Sequence, residues 1–290
     1  MNMKLALGTA QFGLSYGIAN KSGRVGFDEA KRILRDAACK GIDMLDTAIA
    51  YGDSEQVLGK IGVADWHVVS KIPALPAECT DVASWVEQTV QGSIDRLGVG
   101  QLYAVLLHRP SELFEAHGKQ LFDALKHVKE RGYARKIGVS VYVPDELEPL
   151  FDHFSFDLVQ APLNILDRRL IESGWTQRLK LMSVELHTRS VFLQGLLLMP
   201  TSNRPAKFDR WQHIWREWER WLQELGISPL EACLRYVLSV DEVDRAVIGV
   251  DSVKHLCEIL EVTGGVLPNL PRWQRPIDAD LINPSRWNKI

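Results

Sequence analysis

Short runs of apolar residues alternate along the chain with longer stretches in which apolar positions recur every three or four residues. Eight short runs read as strands buried on both faces: 4–9 (KLALGT), 42–46 (IDMLD), 67–71 (HVVSK), 103–108 (YAVLLH), 135–140 (RKIGVS), 158–161 (LVQA), 181–188 (LMSVELHT) and 245–250 (RAVIGV). The stretches 27–41, 84–98 and 122–132 carry the helical spacing and close on glycine, as helix C-caps do. A further helix is predicted over 228–238, where Ser-Pro supplies an N-cap and the favoured first helical proline. Eight strands alternating with helices, without a polar linker, predict one (β/α)8 TIM barrel spanning 1–290. A doubly wound sheet is the alternative, but no predicted strand leads into a GxGxxG turn.

Two segments break the alternation. Residues 194–210 form a long loop after the seventh strand, on the edge where a barrel carries its active site, so a lid or cofactor cover is expected. The tail, 265–290, contains Pro268, Pro271, Trp273, Pro276 and Trp287. It either drapes over the barrel mouth or straps the barrel from outside. In 211–221 (WQHIWREWERW), Trp211, Trp215 and Trp218 share a helix face, which reads as packing surface.

Composition narrows the partners. Apolar residues make up 46% of the chain and charged residues 24%, an ordinary globular balance. A net charge of −3 and the lack of a basic run give no electrostatic case for nucleic acid or an anionic membrane surface. Cys39, Cys79, Cys233 and Cys257 lie far apart, without CxxC or zinc-ligand spacing, as thiols in a reducing cytoplasm would. The start, MNMKLALGTAQFG, lacks the apolar core of a signal peptide. No apolar run approaches the roughly 20 residues of a membrane span. The expectation is a soluble cytoplasmic protein without a resident metal, acting on a small molecule.

Polar residues that end apolar strands carry the chemistry, because the C-terminal strand ends of a barrel face its active site. Asp46 ends the second strand, Lys71 the third and His108 the fourth, and Tyr51 lies on the loop after the second. A phenol has a reference pKa of about 10, too high for efficient proton transfer near neutrality, and a nearby ammonium lowers it. Lys71 can take that part, with Asp46 holding it charged, while His108 hydrogen-bonds a carbonyl oxygen. The set suits carbonyl reduction, and the hydride must come from a nicotinamide cofactor. Any one of these residues alone is more often a loop anchor than a catalyst. Arg109, beside His108, meets either an anionic or sugar substrate or a salt-bridge partner within its loop.

The segment GIDMLDTAIAYGDSEQVLG (41–59) resembles the signature of the aldo-keto reductase superfamily, and the likeness runs from LGTAQFG (7–13) to IGVDSVKHL (248–256). The resemblance implies a (β/α)8 barrel that binds NADP or NAD without a Rossmann motif. It implies Asp46, Tyr51, Lys71 and His108 as a catalytic tetrad, with Tyr51 as proton donor, and Gly8 and Thr9 beside the cofactor. Ser140 and Gln160 match the residues that hold the nicotinamide amide, and Asn164 matches an asparagine further along that motif; Val141 replaces the usual asparagine after the serine. In RSVFLQGLL (189–197), Ser190 and Gly195 match cofactor contacts, and Arg189 stands where a tyrosine usually stacks on nicotinamide. A guanidinium plane can stack on an aromatic ring as well.

Gly249, Asp251, Ser252 and Lys254 belong to a segment resembling the one that seats the adenosine 2′-phosphate at a helix start, and Ile259 replaces an adenine-contacting asparagine. Family habit makes NADP the expected cofactor; Asp251, a carboxylate suited to a ribose hydroxyl, keeps NAD possible. LGTAQFGLSYGIAN and RSVFLQGLLL resemble small bacterial reductases linked to sugar and surface-polysaccharide metabolism, which implies a carbohydrate carbonyl as substrate. A nicotinamide-binding regulatory or scaffold protein of the same fold is the alternative. A lyase or epimerase on a barrel is a third, but it needs a metal or a Schiff-base lysine, and pairing with Asp46 argues for a charged Lys71.

Overall fold

The structure is a computed structural model that describes residues 4–265 and 269–289. Pro268, counted in the expected tail, lies outside the described residues. Eight parallel strands close into a barrel in sequence order, with β8 returning to pair with β1. They are β1 (Leu5–Gly8), β2 (Met44–Asp46), β3 (His67–Ile72), β4 (Leu102–Leu107), β5 (Ala134–Ser140), β6 (Leu158–Pro162), β7 (Glu185–Arg189) and β8 (Arg245–Gly249). The (β/α)8 expectation therefore holds.

The helices are α1 (Ala10–Gly13), α2 (Phe27–Cys39), α3 (Ser54–Ile61), α4 (Val82–Leu97), α5 (Gly118–Glu130) and α6 (Leu147–His153). They continue as α7 (Arg169–Glu172), α8 (Trp175–Leu181), α9 (Gln212–Leu225), α10 (Pro229–Leu238), α11 (Val253–Glu261) and α12 (Ala279–Ile282). The Ser-Pro start of α10 forms a full capping box, with Ser228 and Glu231 bonding reciprocally. The seventh strand starts later than its apolar run predicts. Leu181 ends α8 and is 85% exposed, and Ser183 takes a left-handed φ of 57°, so the turn consumes the first residues of that run.

Two apolar layers surround the strands. The larger packs helices against the outer strand faces, and a smaller cluster of Ala6, Met44, Val69, Ala104, Leu106, Leu158 and Val247 fills the lumen. Strand side chains alternate between faces, so Asp46, two after Met44, Lys71, two after Val69, and Gln160, two after Leu158, also turn into the lumen, at its C-terminal mouth. A continuous alternation thus delivers a polar cluster onto an apolar plug.

The 194–210 loop is more ordered than expected. It folds into three short 3₁₀ segments, Leu193–Leu198, Thr201–Asn203 and Ala206–Trp211. Trp215 donates to Phe208 O at 3.1 Å, and the Arg204 guanidinium lies 4.4 Å over the Trp215 ring. Trp211, Trp215 and Trp218 are buried, so the tryptophan stripe is packing surface as its spacing predicts. The tail acts as a strap. Lys207 holds Trp287 O, Trp211 donates to Asp278, and Arg168 donates to Pro271 O.

Candidate active site

Tyr51 is set by the loop between β2 and α3, and the loop is set by buried hydroxyls. Ser54 Oγ donates to Thr9 O at 2.9 Å and lies 3.2 Å from Thr47 Oγ1, while Thr9 Oγ1 donates to Asp46 O at 3.0 Å. The loop rests directly on α1. A Cβ on Gly13 would sit 1.8 Å from Tyr51 O, and Gly52 (φ 58°) would place one 2.7 Å from Gly13 O. Only glycines allow that approach, and it fixes the Tyr51 backbone at the mouth.

Beneath it lies a buried ion pair. Lys71 Nζ donates to both Asp46 carboxylate oxygens at 2.8 and 2.7 Å and to Thr47 O at 2.9 Å. Both side chains are nearly inaccessible. Gln160 Nε2 donates to Asp46 Oδ1 at 2.6 Å and its Oε1 accepts from Ser140 Oγ at 3.2 Å. The Lys71 ammonium lies 5.3 Å from the centre of the Tyr51 ring, and the His108 ring meets that ring edge-on at 6.2 Å. The four predicted residues Asp46, Tyr51, Lys71 and His108 therefore come together.

Their electrostatics differ from one expectation. The Tyr51 phenol is pushed above its ordinary range, by burial first and then by the Asp46 carboxylate, with Arg189 opposing. Lys71 does not pull it down: its hydrogen bonds go to Asp46 and Thr47, and Asp46 balances its charge. Burial also pulls the Lys71 ammonium below its ordinary range, with Asp46 opposing. The His108 imidazole is pushed down to about 4, by burial first and then by Lys71 and Arg189. It is neutral at neutral pH, with an N–H to donate.

A cleft of about 460 Å³ opens above this cluster and runs outward to the gap between α10 and α11. Gly8, Thr9, Asp46, Tyr51, Arg189, Ser190, Gly195, Gly249 and Asp251 line it, so nine of the predicted site residues share one surface. Ser140 and Gln160 sit below, facing Asp46. Asn164 is turned into its own loop, donating to Ser190 O and accepting from the Leu166 and Asp167 amides. Ser252 and Lys254 are outside the lining: Ser252 Oγ accepts from His255 N as the N-cap of α11, and Lys254 is 83% exposed. Arg109 is 60% exposed and lies 4.0 Å from Glu112.

Arg189 donates to Val141 O at 2.9 Å and lies 4.6 Å over the Tyr142 ring. Two of the positions that depart from the family pattern, Val141 and Arg189, are thus in contact. Several lining residues had no signal in the sequence. Gln194 of the 194–210 segment donates to Tyr16 Oη at 3.3 Å, and Gln194 O accepts from Ile18 N at 3.1 Å, closing a bridge over the cleft. Tyr16 and Gln194 lie 178 residues apart, and only the fold joins them.

A closed parallel barrel with an elongated cleft and a buried acid–lysine pair at its C-terminal mouth is the layout of a small-molecule site on this fold. The model of the aldo/keto reductase family matches residues 4–269, and the chain belongs to that family. The aldo-keto reductase YhdN of Bacillus subtilis is 26% identical over 161 residues, which cover 51% of this chain and 48% of that protein. The chain thus spans about half the length of several curated relatives that it matches. The 2,5-diketo-D-gluconic acid reductase B of a Corynebacterium species is 26% identical over 227 residues, 72% of this chain and 70% of that protein. Among solved structures, the holo form of a Bacillus halodurans aldo-keto reductase superposes with a TM-score of 0.70 at 19% identity, covering 99% of this chain and 91% of that one.

Proposed function

We propose that the protein is an NAD(P)H-dependent reductase of aldehydes or ketones, with carbohydrate carbonyls as its substrate class and Tyr51 as proton donor. The carrying observation is the Asp46–Lys71 pair buried under Tyr51, with Asp46 and Tyr51 lining the cleft and a neutral His108 edge-on to the Tyr51 ring behind the lining. The glycine-lined wall at Gly8 and Gly249, and a cleft that runs from Tyr51 to α11, suit a nicotinamide dinucleotide. When bound, the reduced ring supplies a hydride to the carbonyl carbon.

The chain's own residues do the rest. Tyr51 carries its proton at neutral pH and is placed to give it to the carbonyl oxygen as that oxygen gains negative charge; because burial and Asp46 disfavour the phenolate, the transfer needs a cation beside it. The neutral His108 N–H holds that oxygen in line. As the proton leaves, the Arg189 guanidinium, which lines the cleft and opposes the rise of the Tyr51 phenol, offsets the phenolate charge. Asp46 keeps Lys71 fixed beside the Tyr51 ring. Tyr16, 41% exposed and part of the cleft lining, offers an aromatic face for a sugar ring near the mouth. A relative named for the reduction of a diketo sugar acid supports the same class.

The test is nicotinamide fluorescence on titration, followed by a panel of sugar and simple carbonyls read by loss of reduced-cofactor absorbance. Tyr51→Phe should bind cofactor as wild type does and reduce about 10²- to 10⁴-fold more slowly. Full activity in that variant overturns the proton-donor role. Binding with no turnover on any carbonyl would favour a regulatory role instead.

A further inference from the structure

The cleft has two unlike ends. One reaches Asp46 and Tyr51, where the redox chemistry needs the nicotinamide. The other runs between α10 and α11, past Leu230, Asp251, His255, Glu258 and Ile259. An adenosine half must occupy that end. Leu230 and Ile259 offer it apolar surface, but the charged lining there consists of two carboxylates, Asp251 and Glu258. The lysine and arginine that line the cleft, Lys21 and Arg189, come from the loop after α1 and from the end of β7.

A helix start such as that of α11 ordinarily offers amides to a phosphate. Here two of them are engaged. Val253 N donates to the Glu29 carboxylate of α2 at 2.8 Å, and His255 N donates to Ser252 Oγ at 3.2 Å. Glu29 has already filled the anion seat. Lys254, the nearest cation in sequence, points to solvent and lies 3.7 Å from Glu258. Asp251 Oδ1, in contrast, is a buried acceptor without a hydrogen-bond partner. An acceptor of that kind needs a donor such as a sugar hydroxyl, and would repel a phosphate.

We propose that the cleft selects NAD(H) against NADP(H), with Glu29 and Asp251 as the residues that set the preference. The inference rests on the cleft being a nicotinamide dinucleotide site. A 2′-phosphate at this end meets the Asp251 and Glu258 carboxylates that line it and finds the Val253 and His255 amides taken, the first by Glu29, which Arg32 also pairs; a 2′-hydroxyl finds an unsatisfied acceptor.

Fluorescence titration with NADH and NADPH tests it in wild type, Glu29→Gln, Asp251→Asn and the double variant. Both substitutions delete a charge and keep an acceptor oxygen, so the α11 cap survives; thermal melting checks that it does. Wild type should bind NADH at least about tenfold more tightly than NADPH. Each single variant should narrow the gap about threefold or more, through tighter NADPH binding, and rising salt should narrow it in wild type. Equal or tighter binding of NADPH by wild type overturns the inference and leaves the reductase reading standing. An unchanged gap in the double variant overturns the assignment to Glu29 and Asp251. Failure of both nucleotides to bind overturns the inference together with the reductase reading.

Discussion

At the floor of the barrel lumen, Glu185 at the start of β7 accepts hydrogen bonds from Tyr103 and Lys136 and pairs with His187 at 2.8 Å. At the mouth, Asp46 accepts from Lys71 and Gln160. Both ends bury an acid among donors, yet their neighbours behave differently. Burial raises Glu185, but His187, Lys136 and Tyr103 outweigh it and hold the carboxyl down at about 2. At the mouth, burial drives Tyr51 up, Lys71 down and His108 down. The floor spends its donors on one carboxylate and keeps it charged. The mouth matches one pair and leaves a phenol and an imidazole neutral beside it. Buried charge alone therefore does not mark a catalytic site; groups held in their neutral forms beside an open cleft mark it better.

Breaking the mouth pair should have the largest effect on stability. Lys71→Met leaves the Asp46 carboxylate buried without its cation, and chemical denaturation should show a loss of about 3–5 kcal/mol. A loss below about 1 kcal/mol would mean that Asp46 does not depend on Lys71, and the contrast between paired and unpaired groups would fail. At the floor, Glu185→Gln should cost about 2–3 kcal/mol at neutral pH, allowing for its partial exposure, with the proposed carbonyl reduction unchanged where it is detected in wild type. The folded pKa of Glu185 lies below its ordinary 4.5. Its stabilisation is therefore complete above that value and fades as pH falls toward about 2, so the melting curves of variant and wild type should converge in acid. A constant offset down to that pH would show that the carboxylate charge is not what stabilises the floor.

The mouth was legible in the sequence because it obeys strand periodicity. Asp46, Lys71 and His108 each close an apolar run, and a barrel brings the ends of neighbouring strands together whatever the loops do. Tyr51 was legible through its short spacing from Asp46 and through the family resemblance. The start of β7 was misread because Leu181 and Met182 are apolar yet exposed, and pattern cannot separate an exposed turn from a buried run. The far end of the cleft was the least legible part. Ser252 and Lys254 suggested a phosphate seat, but Ser252 caps its own helix and Lys254 faces solvent. Glu29, the residue that fills the seat, lies 224 positions from Val253, and no local spacing announces such a contact. The lowered Tyr51 pKa expected from Lys71 failed for a similar reason: sequence brings a cation near the phenol but does not say that its donors are already engaged.

The smallest effect separates the two ends by pH. Burial, with Lys71 and Arg189, lowers the His108 imidazole from its ordinary 6.5 to about 4. The unfolded chain regains the ordinary value, so between about pH 6.5 and 4 it binds a proton that the folded protein refuses. Stability should therefore fall as pH drops through that window, by about 1–2 kcal/mol near pH 5, above the range where Glu185 contributes. His108→Gln removes this titration while keeping an amide donor. Its melting temperature should stay flatter than that of wild type from about pH 6.5 to 4, and the two should then fall together as the floor titrates. Parallel curves across the upper window would mean that the folded imidazole titrates as the unfolded one does. That result would remove the burial-driven shift of His108 from the mouth, and with it part of the physical difference between the two ends of the barrel.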